Sequence, residues 1–162
     1  MLNFNFRPIE SSDMLTILEW SNDPETRKQS FNSSPISLEE HKAWFNRKLD
    51  SVSKKQCYFY IMEDDSHPIG SIRLDPVSGE NHTYIISYMI SPSQRGRGFG
   101  TKIIKSLIEL LDEGFVMNKP IILMAYVKPE NKASIRCFQK LGFELKADNS
   151  SDSEMVFSTN IC

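Results

Sequence analysis

Hydrophobic and polar positions along this chain predict strands and helices in a definite order. Residues 3–9 alternate between polar and apolar types, which predicts an edge strand, and helix-capping residues followed by apolar ones predict a helix directly after it. Ser37 and Glu40 form a capping-box pattern that predicts a second helix over about 37–50. The polar segment 24–36 between these helices is expected to be irregular.

The middle of the chain predicts a sheet followed by a helix. Apolar runs at 57–62, 69–75 and 83–90 are separated by turns of hairpin length, which predicts an antiparallel meander. Apolar residues at three- and four-residue spacing predict a helix over 101–114. The strongly apolar run at 120–127 predicts a buried strand, and the connection that precedes it is long enough for a parallel crossover.

The last part of the chain predicts one more helix and two more strands. The helix covers 131–141 and ends at Gly142, and the strands cover 143–146 and 154–161. This order of elements predicts a single domain over residues 1–162, of the α/β (α+β) class, in which helices pack on the faces of one mixed sheet.

Composition and charge exclude several classes of protein. A net charge of −2 over 162 residues argues against nucleic-acid binding as the main role. Three widely spaced cysteines argue against both a disulfide framework and a zinc site, so a reducing compartment and no metal are expected. The sequence contains no recognisable secretion signal or membrane span, so we expect a cytoplasmic protein without membrane contact.

The glycine-rich turn at 95–100, Arg-Gly-Arg-Gly-Phe-Gly, predicts an anion site. Glycines let backbone amides converge on a ligand, and the helix that follows adds free N–H groups and partial positive charge. The spacing differs from both common phosphate motifs. A dinucleotide fingerprint would need glycine at Thr101, five residues after Gly96, and a P-loop would need glycine directly before Lys102.

Two motifs in this sequence resemble those of the GCN5-related N-acetyltransferases (GNAT family). Residues 95–100 resemble the family's R/Q-x-x-G-x-G/A loop, and 131–143 resemble its N-x-x-A/S-x-x-L/F-Y-x-x-x-G-F helix. The predicted order of elements is also that of the family. The resemblance implies the GNAT fold: a mixed, mostly antiparallel sheet of six to seven strands flanked by about four helices, splayed between the strands at 84–90 and 120–127.

The same resemblance implies that acetyl-CoA is the co-substrate. The backbone of Met89 and Ile90 would pair with the pantetheine arm, the amides from Arg95 to Thr101 would receive the pyrophosphate, and Asn131 and Ser134 would approach the pantetheine. The implied acetyl-CoA-binding residues are Met89, Ile90, Arg95, Gly96, Arg97, Gly98, Phe99, Gly100, Thr101, Asn131 and Ser134.

One catalytic position departs from the family pattern. Many relatives carry a tyrosine that protonates the thiolate, and Phe138 stands at that position here. Tyr126 is the favoured substitute, and Tyr88 and His41 are the other catalytic candidates. N-terminal peptide acetyltransferases of this family carry a glutamate base at the position of Tyr126, so the carboxylate of that subgroup is absent.

The first third of the chain carries the pattern expected to bind the acceptor. Residues 20–45 resemble the W-x-N-(D/H)…R…F…I-S…E-x-H…W-F pattern of enzymes that acetylate nucleotide-linked amino sugars, such as those of pseudaminic-acid synthesis. Their rings and polar groups suit stacking and hydrogen bonding. The implied acceptor-binding residues are Asn22, Arg27, Phe31, His41 and Trp44.

These patterns together predict an N-acetyltransferase that transfers acetyl from acetyl-CoA to a primary amine by direct attack in a ternary complex. The expected acceptor is a small molecule, a nucleotide-linked amino sugar, and the protein is expected to be a monomer or a homodimer. A protein N-terminal or ribosomal-protein acetyltransferase is the alternative within this class. A non-catalytic acyl-CoA-binding sensor is the alternative of another class.

Overall fold

The computed structural model of the protein describes residues 4–114, 118, 120–149 and 154–162. These residues form seven strands and five α-helices, with 3₁₀ helices at Ser11–Asp13 and Pro92–Gln94. The strands are β1 Phe4–Pro8, β2 Tyr58–Asp64, β3 His67–Pro76, β4 Thr83–Ile90, β5 Ile121–Val127, β6 Glu144–Asn149 and β7 Glu154–Ile161. The helices are α1 Met14–Asn22, α2 Pro24–Gln29, α3 Leu38–Ser53, α4 Phe99–Asp112 and α5 Lys132–Lys140. Asn3, where the first predicted strand begins, lies outside the described residues.

All seven strands belong to one sheet, in the order β1-β2-β3-β4-β5-β7-β6. β4 and β5 are parallel, and every other neighbouring pair is antiparallel. The meander from β2 to β4 and the crossover through α4 to β5 therefore confirm the mixed, mostly antiparallel sheet predicted from the sequence.

The sheet opens between β4 and β5. Their parallel pairing joins residues 83–85 to 122–124, and residues 86–90 and 125–127 are not paired with each other in the described structure. Backbone groups on this edge of β4 are therefore available to another extended chain or ligand. This opening is the splay that the family resemblance predicted.

Helices cover both faces of the sheet because each contributes one apolar stripe to a core. On one face, α4 buries Ile103, Ile104, Leu107 and Leu111 completely, and α5 packs beside it through Ile135 and Phe138. On the other face, α1 and α3 enclose a second core that includes Ile17, Trp20, Phe45 and Phe59. Burial of one such side chain stabilises the fold by about 1.5–3 kcal/mol.

The helix α2 was not predicted, so the expected count of about four helices becomes five within the described residues. Its sequence is polar and has no buried residue, which leaves no apolar period to detect. The helix forms because Pro24 occupies its first turn and the Asp23 carboxylate accepts the amides of Glu25 and Thr26.

The longest helix in the described part of the chain is α3, with 16 residues. None of the helices in that part is long and apolar enough to cross a membrane.

Candidate active site

A cavity of about 1170 Å³ lies at the opening between β4 and β5. The loop before α4, the start of α4 and α5 line one side of it. Residues of α2, α3 and β3 line the other side. One continuous cavity therefore joins the two regions that the sequence assigned separately to acetyl-CoA and to the acceptor.

The loop before α4 presents backbone amides to this cavity. Gly96 and Gly98 have φ angles of +74° and +80°, and a Cβ at either position would meet no atom within 4 Å. The Gly98 carbonyl accepts the Lys102 amide at 3.2 Å, so the amides of residues 99–101 precede the bonded part of the helix. Such unbonded amides at a helix N-terminus suit a phosphate or pyrophosphate group.

The two arginines of this loop are engaged with protein groups. Arg95 donates to Asp23 Oδ2 at 2.6 Å and to Thr26 Oγ1 at 2.7 Å. The hydrogen bond from Arg95 to Asp23 is the main reason that the pKa of Asp23 is lowered. Arg97 donates to Gln94 Oε1 at 2.5 Å. Arg95 therefore ties the loop to α2 through its side chain, and the pyrophosphate contact expected of its backbone amide stays a prediction.

The start of α4 is packed closely against α5. The Phe99 ring is buried against Phe4, so only its backbone can face a ligand. Thr101 Oγ1 donates to Cys137 Sγ at 3.3 Å. A Cβ on Gly100 would lie 3.3 Å from the same sulfur, so glycine permits this close approach.

The predicted residues of α5 meet β4 at the cavity. Asn131 caps the helix, because its Oδ1 accepts the Ser134 amide at 3.2 Å. Ser134 Oγ lies 2.8 Å from the Tyr88 hydroxyl in a hydrogen bond that either group can donate. Met89 and Ile90 follow Tyr88 on the open edge of β4, in the position expected to pair with an extended arm.

Phe138 and Tyr88 pack together where the family carries its tyrosine. Phe138 is 2% exposed and contacts Tyr88, Phe143 and Phe157, so it is a core residue. The Tyr88 hydroxyl lies near Ser134 and lines the cavity. Burial raises the pKa of Tyr88 far above its usual value, which keeps the hydroxyl protonated and able to donate.

Tyr126 lines the cavity from β5. Its neighbours Ala125 and Val127 are buried under the core on the face of α4 and α5, so Tyr126 points to the opposite face. It is 37% exposed, and its hydroxyl has no hydrogen-bond partner among the described residues. Tyr88 and Tyr126 therefore approach the cavity from opposite faces of the sheet.

Asn22 and Arg27 hold the chain segment between α2 and α3. The Asn22 amide exchanges two hydrogen bonds of 2.8 Å with the backbone of Ile36. Arg27 donates to the carbonyls of Ser21, Asn32 and Ser34, and to Ser30 Oγ. Both side chains therefore support the cavity wall. Arg27 also lines the cavity, Asn22 is not among its lining residues, and direct contact of either with the acceptor stays a prediction.

His41, Trp44 and Phe31 line the acceptor side of the cavity. His41 is 2% exposed and stacks beside Trp44 and Phe45. Its Nε2 lies 2.8 Å from the Met14 carbonyl, which can only accept, so Nε2 carries the proton and Nδ1 keeps a lone pair. Burial lowers the pKa of His41, although the bond to Met14 opposes the shift. Phe31 is 54% exposed.

Several polar residues that line the cavity were not singled out from the sequence. They include Arg136 and Lys140 on α5, Arg47 on α3, Ser71 and Arg73 on β3, and Ser87 on β4. Arg136 and Lys140 are one helical turn apart, a spacing that could have identified them as a pair. Residues on β3 carry no local signal because the β-sheet pairing brings them to the cavity. The described residues contain no cluster of three or more His, Cys, Asp or Glu that could hold a metal ion.

The chain is similar in sequence and structure to known acetyltransferases. The protein-family model described as the acetyltransferase (GNAT) domain matches residues 3–144 of this chain. The spermidine N(1)-acetyltransferase of Escherichia coli (strain K12) is 22% identical over 142 residues, which are 88% of this chain and 73% of that protein.

Two solved structures illustrate the shared fold. The ribosomal-protein-S5-alanine acetyltransferase from Vibrio fischeri has a TM-score of 0.79 and 16% identity, over 99% of this chain and 94% of that one. An aminoglycoside acetyltransferase in complex with coenzyme A has a TM-score of 0.76 and 20% identity, over 97% of this chain and 94% of that one. The three relatives act on three different kinds of acceptor, so the likeness does not select one.

The family match covers most of the chain, and the similar proteins and solved structures named above are acetyltransferases. The chain therefore belongs to the GNAT acetyltransferase family and is an acetyl-CoA-dependent N-acetyltransferase.

Proposed function

We propose that the protein acetylates the primary amine of a nucleotide-linked amino sugar, with donor and acceptor bound together. The observation that carries the ternary complex is the continuous cavity, which reaches from the loop at 95–100 to the rings of α3. A cavity of about 1170 Å³ has room for two ligands side by side.

The donor side of the cavity suits acetyl-CoA. The amides around Gly98 bind the pyrophosphate, and Arg136 and Lys140 add positive charge beside it. Met89 and Ile90 pair through their backbone with the pantetheine arm in the opening of the sheet. Asn131 and Ser134 approach the same arm from α5.

The transfer step forms one bond and breaks another. The neutral amine attacks the thioester carbonyl, a C–N bond forms, and the C–S bond breaks with its electron pair moving to sulfur. The amine proton passes to His41 Nδ1 or to water held beside it. The Tyr88 hydroxyl donates a hydrogen bond to the leaving sulfur. The Tyr88 hydroxyl does not transfer its proton completely to the sulfur, because a thiol with a pKa of about 8.5 is a stronger acid than Tyr88, whose pKa is raised.

The acceptor side of the cavity favours an amino sugar over a polycation. Trp44 and Phe31 supply ring surfaces for stacking. Of the described residues that line the cavity, only Glu25 and Glu40 are acidic, and each already accepts hydrogen bonds from protein groups. A polyamine or an aminoglycoside would need more unpaired carboxylates than these.

A panel of amines tests the proposal through release of free CoA from acetyl-CoA. The panel contains nucleotide-linked amino sugars, peptides with free N-termini, polyamines and aminoglycosides. We expect the UDP- or dTDP-linked amino sugars to give the highest kcat/KM. Preference for a peptide would instead support the N-terminal acetyltransferase alternative. Thermal stabilisation by CoA without acetylation of any amine would overturn the enzymatic proposal in favour of a sensor.

A further inference from the structure

We infer that Arg73 and Arg47 form an anion site on the acceptor side of the cavity, which binds a phosphate or carboxylate of the amine substrate. The inference rests on the proposed acetylation of a primary amine and specifies what else the substrate must carry. Both arginines line the cavity together with Trp44 and Phe59.

Arg73 is held so that the end of its guanidinium remains available. Its Nε donates to Asp75 Oδ2 at 2.6 Å, and its Cζ lies 5.2 Å from the centre of the Trp44 ring and 5.6 Å from that of Phe59. The two Nη groups form no hydrogen bond with any described residue. A guanidinium fixed at Nε and stacked on rings presents its paired Nη donors in the geometry that suits a phosphate or carboxylate.

The charges near Arg73 leave a positive excess. Asp75 Oδ1 also accepts Lys48 Nζ at 2.6 Å, so one carboxylate is shared by two cations. Arg47 adds a third positive charge from α3, and it has no ion-pair partner among the described residues. It follows Trp44 by three residues, so the two side chains lie on the same face of the helix.

The anion site lies close to the expected point of transfer but apart from the phosphates of CoA. In the pairing of β3 with β4, Arg73 faces Ser87 and Ser71 faces Met89. Arg73 and Met89 are thus one strand and two residues apart, about 8 Å between backbone positions. Side chains of these four residues point to the face of α1 and α3, whereas the loop glycines precede α4, which covers the opposite face.

Matched pairs of amines test the site. Free CoA release is measured for a nucleotide-linked amino sugar against the corresponding free amino sugar, and for a dipeptide against its C-terminal amide. We expect the anionic member of at least one pair to have a kcat/KM higher by roughly tenfold or more. The pair that shows the difference identifies the anion as phosphate or carboxylate.

Two variants connect this preference to the arginines. Arg47→Gln and Arg73→Gln should remove most of the preference, through KM of the anionic acceptor, and should leave KM of acetyl-CoA unchanged. Lys42→Gln is the matched control, because Lys42 is an exposed cation of the same helix that does not line the cavity. Arg47 is exposed, so its variant is expected to fold even if loss of Arg73 unsettles Asp75.

Binding of UDP to the protein saturated with CoA gives a readout that does not depend on catalysis. Where the nucleotide-linked pair shows the preference, the site predicts that UDP raises the melting temperature of this complex and that Arg47→Gln weakens the effect. Acetylation of amines without any anion preference would overturn the anion site and leave the proposed enzyme intact. UDP binding without acetyl transfer to any amine would overturn the proposed enzyme alone. Absence of both UDP binding and acetyl transfer would overturn the anion site and the proposed enzyme.

Discussion

Burial alters the acid–base properties of two residues that line the cavity. Tyr88 keeps its proton because its pKa is raised, and His41 stays neutral because its pKa is lowered. Each is also fixed by one hydrogen bond, to Ser134 and to the Met14 carbonyl respectively. The two residues can therefore act as a hydrogen-bond donor and as a proton acceptor near neutral pH.

Tyr88→Phe should lower kcat by about tenfold or more, because it removes a hydrogen bond to the leaving sulfur that matters most in the transition state. The ring contact with Phe138 is kept, so the variant should fold and bind acetyl-CoA normally. Steady-state kinetics and CoA binding measure both effects.

Tyr126→Phe is the matched comparison, since it also removes one hydroxyl from the cavity. The sequence favours Tyr126 as the donor to sulfur, and the contact of Tyr88 with Ser134 favours Tyr88. We expect Tyr126→Phe to change mainly KM of the acceptor. A loss of kcat in Tyr126→Phe but not in Tyr88→Phe would instead assign the hydrogen bond to the leaving sulfur to Tyr126.

His41 should make the folded state less stable as the pH falls below about 6.5. In that range the unfolded chain takes up a proton that the folded protein, with its lowered pKa, does not bind. Thermal unfolding between pH 7 and 5.5 should show this loss, and His41→Gln should reduce it while keeping a donor for Met14.

At the scale of elements, the sequence predicts those parts of the fold that carry a periodic apolar pattern. α4 and β5 have such patterns, and their positions agree with the prediction to within two residues. α2 does not, because its stability comes from a cap and from contacts distant in sequence. The same limit applies to the site, where Arg95 meets Asp23 across 72 positions of sequence.

The loop before α4 depends on glycine for both its shape and its open space. Gly98→Ala should place a methyl group in the cavity and weaken acetyl-CoA binding, with a stability cost of about 1 kcal/mol from the positive φ. Isothermal titration and thermal unfolding measure the two effects.

Gly79→Ala is a matched control for this prediction. Gly79 has a φ of +79° and open space around it, but it lies in the turn between β3 and β4 and does not line the cavity. It should show a similar loss of stability and unchanged affinity for acetyl-CoA. Equal effects of both variants on affinity would contradict the role of the loop.

At the scale of the whole molecule, an ion pair connects the donor and acceptor sides of the cavity. Arg95 belongs to the loop before α4, and Asp23 caps α2, which lines the acceptor side. The pair is partly buried, so it is screened less than an exposed one. Changes at either residue should therefore affect both substrates.

Arg95→Gln and Asp23→Asn should each raise KM for acetyl-CoA and for the acceptor, and the double variant should be little worse than either. Asparagine at position 23 keeps the cap of α2, so the double-mutant cycle isolates the ion pair. We expect a coupling free energy of about 1 kcal/mol between Arg95 and Asp23. Lys54→Gln, which breaks the exposed pair with Asp50, should change neither KM. Additive effects at 95 and 23 would show that the pair does not couple the two sides.

The short pairing between β4 and β5 also makes the stability of the folded protein depend on bound acetyl-CoA. Only three residues of each strand are joined there, so an extended arm bound in the gap would bridge the two parts of the sheet. A ligand at a hundred times its Kd stabilises the folded state by about 2.7 kcal/mol. The resistance of this protein to unfolding and proteolysis should therefore rise and fall with the supply of acetyl-CoA in the cell.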